Sequence, residues 1–571
     1  MKKQKKILLV NPSCLDARIS GEDAGVVPIG LYYIGALLIE NGFDANIINL
    51  AGNKDDPLKA FKKLITTEQP DIIGFSVINP NRWNAMDCAR AARQIKPDIT
   101  IVFGGPAPTF LADHLLRACP DIDFIVAGEG EITFLELVIE LENRRDSSCE
   151  NIDGLVFKKN NRIVRTSSRH LVEKLDTLVH PSKYFVYQHL AMSRGCPGKC
   201  TFCGSPKFWG NSNLRFHSPK WFADEIQTLV KNNVTHFYIS DDTFTMDKQR
   251  VIEFCNLIID RKLDITWNAI SRVDYIDEDI LFSMRKAGCI HLSFGVESGS
   301  EKIRKTLGKP IKQEKIIKAF SLTTSYGILP RAYFIYGSPG ETDKTIQESR
   351  DLLNTIKPLS AIFYMLVLFP GTHLYQSAVQ KHLVTDDVWH QKIEDLPWFE
   401  IDDLLDFTKV KAFGDGLRSE FYNNLDTFAK KIELADIKEL IPFHADFLSR
   451  LAMTFSHGEY AGEYGGDTRI KNQDKTAKLL YDRALSYTPN ARSFLGLAML
   501  LQKQRRFDQA ISMLEKGLDH SPENKNLNIC MGVSLMNTGR FKTALKFFEK
   551  FNEHPETNQY INICHQKISG H

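Results

Sequence analysis

The stretch "LAMSRGCPGKCTFCGSPKF", residues 190–208, places Cys196, Cys200 and Cys203 within eight positions. Three thiolates so close together can hold zinc or an iron–sulfur cluster. Structural zinc takes four closed ligands, commonly as two separated pairs. Here the third cysteine belongs to the same tight loop, and only His189 or His217 could complete a set. An iron–sulfur cube can use three cysteines and leave its fourth iron open to a small molecule. Gly195, Pro197, Gly198 and Gly204 suit a loop that must wrap such a cube, and Phe202 would shield it. Zinc and metal-free buried cysteines stay open as readings of the trio alone. The other eight cysteines (14, 88, 119, 149, 255, 289, 530 and 564) are scattered, which is not a disulfide framework. Buried packing accounts for each of them.

The loop must be carried by a scaffold, and the chain has room for several. Its 571 residues exceed one core, and 43% hydrophobic with 25% charged residues argues against disorder. Residues 1–150 alternate strand and helix: "KKILLVNP", "DANIINL", "PDIIGFSV", "DITIVFGG" and "DFIVAGEG" are β-rich runs, and "IGLYYIGALLIENGF" is a helix ending at Gly42. This pattern predicts an α/β domain with a doubly wound parallel sheet, whose ligands sit at the carboxyl ends of the strands. Residues 151–184 read as a linker with a hairpin turning at Asn160–Asn161. Over 185–384 the rhythm restarts with "FVYQHLAMS", "HFYISDD", "ITWNAISRV", "IHLSFGVES", "RAYFIYGSPG" and "AIFYMLVLFPGT". Six βα units predict a partial (β/α)6 TIM-like barrel. The unusual residues cluster at its strand ends.

Residues 385–465 read as a helical extension. After the glycine-rich "GEYAGEYGGD", 466–571 read as all-α tetratricopeptide-like repeats. Ala477, Ala510 and Ala544 recur at 33 and 34, and Pro489, Pro522 and Pro555 at 33, each proline placed at a helix end.

With these motifs in order, the region 185–375 resembles a radical SAM enzyme: "SRGCPGKCTFC", "FYISDDTFTMD", "WNAISRVD", "LSFGVESGSEKI" and "YFIYGSPGET" follow one another as in that family. The resemblance implies a [4Fe-4S] cluster on Cys196, Cys200 and Cys203, with S-adenosylmethionine (SAM) bound through its amino and carboxylate groups and cleaved to a 5′-deoxyadenosyl radical. It places Asp241 and Asp242 near the methionine ammonium, though an N-cap pair would look the same. It gives Arg272 the carboxylate, against a plain salt bridge, and Glu297 the ammonium or ribose, against a pairing carboxylate in the barrel mouth. Gly337, with Pro339 and Gly340, would let backbone approach adenine, unless the stretch is only a turn. The family's usual glycine-glycine-glutamate is absent.

The first domain then resembles the cobalamin-binding domain of one radical SAM subgroup, through "VVPIGLYYIGALLIENG", "PDIIGFSV", "VFGGPAPT" and "DFIVAGEGEITFLELV". Ser76, Gly104, Gly105, Gly128, Glu129 and Gly130 would line the cobalamin. The alternative is a sheet with no cofactor. The D-x-H-x-x-G motif that supplies a histidine to cobalt is missing, since Asp113–His114 has the wrong spacing. The implied function is methylation, cyclisation or rearrangement at an unactivated carbon of a lipid, natural-product or peptide substrate. Electrons would come from a reductant such as flavodoxin or ferredoxin. A methylthiotransferase would need three cysteines at strand ends of the first domain, where only Cys14 qualifies. A cobalamin- or SAM-sensing adaptor acting through the repeats would have little use for the cysteine loop, although the repeats do suit a protein partner.

The net charge of +2 gives no argument for nucleic acid or an acidic membrane. "MKKQKK" leads into a strand rather than a signal, and "AIFYMLVLF" falls short of the ~20 residues of a membrane span. The expectation is a soluble, cytoplasmic protein with no transmembrane segment.

Overall fold

In the computed structural model, the described residues are 5–14, 25–51, 56–143, 149–210, 213–390, 392, 396–461 and 469–570. The five β-rich runs of the first domain become β1 (Lys6–Asn11), β2 (Asp44–Asn49), β3 (Ile72–Ser76), β4 (Thr100–Gly104) and β5 (Phe124–Val126). All five lie parallel, in the order β2-β1-β3-β4-β5. The order reverses at β1, so helices cover both faces and a crevice opens at the carboxyl ends of β1 and β3. Ile7 to Val10 are buried on both faces, as a central parallel strand requires.

The hairpin forms as β6 (Leu155–Lys159) and β7 (Arg162–Arg165), with Asn160 and Asn161 at φ of 50° and 61°. Both turn residues are left-handed, as a tight primed turn demands. It does not bridge two domains. β6 pairs antiparallel with β5 and enlarges the first sheet to seven strands. The physical reason is that β5 would otherwise be an exposed edge, and Leu155, Val156 and Phe157 bury apolar side chains in that domain.

After β8 (His189–Leu190) the chain turns aside into an antiparallel ribbon of β9 (Ser193–Arg194) and β10 (Arg215–Phe216). It then runs through β11 (His236–Ile239), β12 (Thr266–Ser271), β13 (Cys289–Glu297), β14 (Leu329–Tyr336) and β15 (Ser360–Met365). β8 and β11 to β15 form the six-stranded, all-parallel partial barrel, in chain order. β8 is shorter than the apolar run around it. Met192 donates its N–H to the Asp241 carboxylate (2.9 Å) instead of a neighbouring strand, and the chain leaves the sheet there.

One segment departs from the sequence reading. Leu366, Leu368, Tyr375, Ala378, Val384 and Trp389 were expected at the barrel's end and in the helical extension. They lie instead in the hydrophobic core of the first domain with Phe103, Leu111 and Leu115. Arg82, fully buried, sits between the rings of Trp83 and Trp389 at 4.8 and 4.9 Å and donates Nε–H to the Trp389 carbonyl (3.2 Å).

Helices Phe407–Lys430 and Ile441–His457 follow, then six helices over Gln473–Ser569 joined by short turns. Ala477, Ala510 and Ala544 are fully buried between them. Pro489 and Pro522 stand just past the helices ending at Tyr487 and His520, whereas Pro555 opens the last helix rather than closing one. Most of the glycine-rich break before them lies outside the described residues. Among the described residues no helix is long and apolar enough to cross a membrane.

Candidate functional site

The cysteine loop lies between β9 and β10 and is shaped by glycine. Gly195 has φ of 102°, and a Cβ there would fall 2.4 Å from the Asn213 carbonyl oxygen. Gly198 directs its N–H at Cys196 Sγ (3.4 Å). A Cβ on Gly198 would meet Cys196 Sγ at 3.3 Å, Arg272 Nη1 at 3.4 Å and Cys200 Sγ at 3.7 Å. Two thiols and a guanidinium therefore surround one bare α-carbon. The barrel holds the loop in place: Thr201 N–H donates to the Leu307 carbonyl and Leu374 N–H to the Thr201 carbonyl, both at 2.9 Å. Phe202 packs on the first domain's core. Burial pushes the thiols of Cys200 and Cys203 up, the latter to about 11, so only a bound metal would keep them as thiolates.

Neither histidine suggested by sequence turns to the loop. His217 bonds Tyr33 (3.0 Å) and Asp176 (3.2 Å), and His189 stacks on Tyr238. Among the described residues no three His, Cys, Asp or Glu side chains stand as a set for one metal ion. Three thiols carried on one glycine-shaped loop are the donor chemistry of a cluster held by three cysteines with one iron left open.

Around this loop the barrel ends contribute unequally. Asp241 is 1% exposed and accepts from Met192 N–H and the Ser193 hydroxyl, so it anchors β8 to β9 rather than facing the mouth. Burial pushes its carboxyl up to about 7. Asp242 faces the open cavity and accepts from the Ser205 hydroxyl (2.6 Å). Arg272 bonds Asp274 (2.9 Å), and its buried Nε has no partner. An anion reaching that Nε would satisfy it.

Glu297 ends β13 at φ of 64°, beyond a register shift in its pairing with β14, and forms a buried ion pair with Lys309 (2.7 Å). A non-glycine residue held left-handed at a strand end stores strain of a kind found at binding sites. Lys309 carried no motif, and only the fold brings it to Glu297. Gly337 also needs its missing side chain: its φ is 84°, a Cβ would fall 2.8 Å from Val410, and its N–H donates to Glu341 (2.6 Å).

The first domain meets this mouth across a cavity of about 280 Å³. Ser76, Gly104, Gly105, Gly128, Glu129 and Gly130 line one wall, and Ser193, Arg194, Phe208, Trp209 and Asp242 line the other. A Cβ on Gly128 would meet nothing within 4 Å, so any side chain there would occupy the cavity itself. Gly105, at φ of 104°, lies against Val77, where a Cβ would come 2.7 Å from the carbonyl oxygen. A largely apolar cleft floored by bare backbone lets a large planar cofactor and its tail approach the main chain closely. His114 lies elsewhere, beside Asp386 (3.5 Å), so it is not aimed at this cleft.

Glu129 departs most from its expected role. It does line the cavity, but it accepts from Arg194 (2.7 Å), Arg215 (2.9 Å) and Val172 N–H (2.9 Å), while Arg194 also donates to Glu131 (2.6 Å). Trp209 lies against both guanidiniums at 5.7 and 5.8 Å, and Tyr33 against Arg194 at 5.1 Å. Sequence reasoning missed Arg194 and Arg215. Their signal was weak: each is a lone arginine at the base of the cysteine loop.

Comparison with known proteins agrees with this geometry. Residues 190–353 match the model of the radical SAM superfamily, and 24–138 match that of the B12 binding domain. The chain is 32% identical over 403 residues to an uncharacterized methyltransferase of Pyrococcus horikoshii, covering 68% of this chain and 86% of that protein. It is also 32% identical over 378 residues to the anaerobic magnesium-protoporphyrin IX monomethyl ester cyclase of Rubrivivax gelatinosus, covering 63% and 67%. Two solved structures share the fold. The radical SAM methyltransferase TsrM of Kitasatospora setae, with cobalamin and a [4Fe-4S] cluster, has a TM-score of 0.62 at 15% identity over 85% of this chain and 100% of that one. The cobalamin-dependent radical enzyme OxsB, with aqua-cobalamin and S-adenosylmethionine, has a TM-score of 0.60 at 16% identity over 99% and 84%.

Proposed function

The chain belongs to the radical SAM superfamily and carries a B12-binding domain, and from that premise we propose that it is a cobalamin-dependent enzyme that methylates an unactivated carbon. The observation that carries the reading is that one cavity has the glycine-floored sheet edge on one side and, on the other, residues that flank the three cysteines in the chain: Ser193, Arg194, Phe208 and Trp209. When bound there, the [4Fe-4S] cluster and SAM supply a 5′-deoxyadenosyl radical, and cobalamin supplies the methyl group.

The chain's own residues bind, orient and shield. Cys196, Cys200 and Cys203 hold the cluster. Arg272 would hold the carboxylate of SAM and Asp242 its ammonium. Glu297, fixed by Lys309, would accept from the sugar, and the bare backbone at Gly337 would receive the adenine. Ser76 and the glycines at 104, 105, 128 and 130 receive the corrin tail. Phe208 and Trp209 exclude water from the space between the two walls. The substrate is a lipid, natural product or peptide, and electrons come from a flavodoxin- or ferredoxin-type donor. The cyclase relative supports ring closure as the second reading, which uses the same cofactors.

The test is anaerobic purification with iron and sulfide reconstitution and added hydroxocobalamin. Iron, cobalt and the absorption spectrum are recorded, then SAM and dithionite are added. Iron for one cluster, one cobalt per chain, and 5′-deoxyadenosine that disappears in Cys200→Ala support the proposal. A cluster without cobalamin overturns the methylation reading.

A further inference from the structure

At the amino ends of the barrel strands, away from the cysteine loop, lies a second cavity of about 360 Å³. Strand starts at His236, Asn268 and His291 form its roof. Its sides come from three helices: Glu278–Lys286 with Arg285, Ile441–His457 with Arg450, and Ala491–Lys503 with Arg492. Three arginines and two histidines line it, and among the described residues no carboxylate does.

All three guanidiniums bond to one acid behind them, Asp446. Arg285 reaches it at 2.8 Å, Arg450 through two contacts at 2.8 and 2.9 Å, and Arg492 at 2.7 Å. One carboxylate among three permanent cations leaves an excess of positive charge around a half-open cavity, with Arg285 buried and Arg450 and Arg492 about one-third exposed. An anion entering the cavity would offset that excess, most strongly at the buried Arg285. The donors are also incompletely used. Arg285 is 2% exposed, yet its Nε has no partner, and neither does the buried Nε2 of His291. Guanidinium forks approaching from three separate helices suit a tetrahedral anion with several oxygens.

We propose that this cavity binds the phosphoryl group of a small molecule, as free phosphate or a phosphate ester. The site is separate from the SAM and cobalamin cleft. Its ligand would touch the barrel through Arg285 and the C-terminal helices through Arg492, joining the two.

The test uses the full chain at constant ionic strength, set with chloride. Inorganic phosphate and glycerol 3-phosphate are titrated separately, followed by calorimetry and by the melting temperature. The expected result is saturable binding of at least one, with a rise in melting temperature. Arg492→Gln and Arg450→Gln, both at partly exposed positions, should weaken it about tenfold or more. Asp446→Asn removes the competing carboxylate and should tighten it, a gain that general damage to the fold would not produce. The tighter of the two phosphates identifies the source. Absence of saturable binding to both wild type and Asp446→Asn overturns the proposal, as does equal binding by wild type and the two arginine variants. Neither outcome touches the cofactor assignment, which is read from iron and cobalt.

Discussion

Arg194, two residues before Cys196, donates to Glu129 of the first domain at 2.7 Å, with both side chains about nine-tenths buried or more. The base of the cysteine loop is thereby tied to the sheet edge that would receive the corrin. Burial would raise the Glu129 carboxyl, but Arg194 and Arg215 hold it below its usual range. Glu129→Ala leaves Arg215 without its acid partner and should lower stability by about 3 kcal/mol. Urea unfolding measures this. A double-mutant cycle with Arg215→Met should return part of the loss.

Gly198→Ala tests the bare α-carbon between the sulfurs. The new methyl would sit 3.3 Å from Cys196 Sγ and 3.4 Å from Arg272 Nη1. Cluster loading should fall to less than about half of wild type at little cost to overall melting, because the loop is partly exposed. Iron content after reconstitution, set beside the melting temperature, separates the two effects.

Glu297 and Lys309 should behave as a unit. Lys309→Met leaves a buried carboxylate unpaired and should cost about 3 kcal/mol or more, as should Glu297→Gln in the opposite sense. The double variant should recover most of the stability while losing SAM affinity. Calorimetric SAM titration of all three variants checks both halves.

Glu341 gives a pH dependence of definite sign. Burial pushes its carboxyl up to about 7, opposed by the N–H groups of Gly337 and Ser338. A raised carboxyl favours folding in its protonated form. That stability is complete below the unfolded value near 4.5 and is lost as pH rises through 7. Glu341→Gln does not titrate, so it should gain about 3 kcal/mol on wild type between pH 4.5 and 8. Urea unfolding at the two pH values checks it. A constant offset between the two proteins would show that Glu341 does not titrate in this window.

Much of this architecture was legible in the sequence, because β-rich runs separated by amphipathic helices allow few arrangements. The cysteine trio was legible because its spacing is local. Asp241 misled because a carboxylate at a strand end looks alike whether it faces a ligand or a backbone N–H. The hairpin was visible through Asn160–Asn161, but alternation within a strand does not reveal which edge it joins. Lys309 was silent and Arg215 nearly so, since single cations gain meaning only from a partner that the fold supplies. The return of Trp389 to Arg82, 307 residues away, carries no periodic signal at all.

That return governs the order in which the molecule can be assembled. The first sheet is complete in sequence by Arg165, yet its core also needs Leu366, Leu368, Tyr375 and Trp389. During synthesis at about 5–20 residues per second, the first domain would wait on the order of ten seconds or more for its last core residues. Until then Arg82 lacks the Trp389 ring that covers it. A fragment ending near residue 185 would therefore be an open vessel rather than a free-standing cobalamin carrier, and nascent chains stalled there would be natural clients of chaperones.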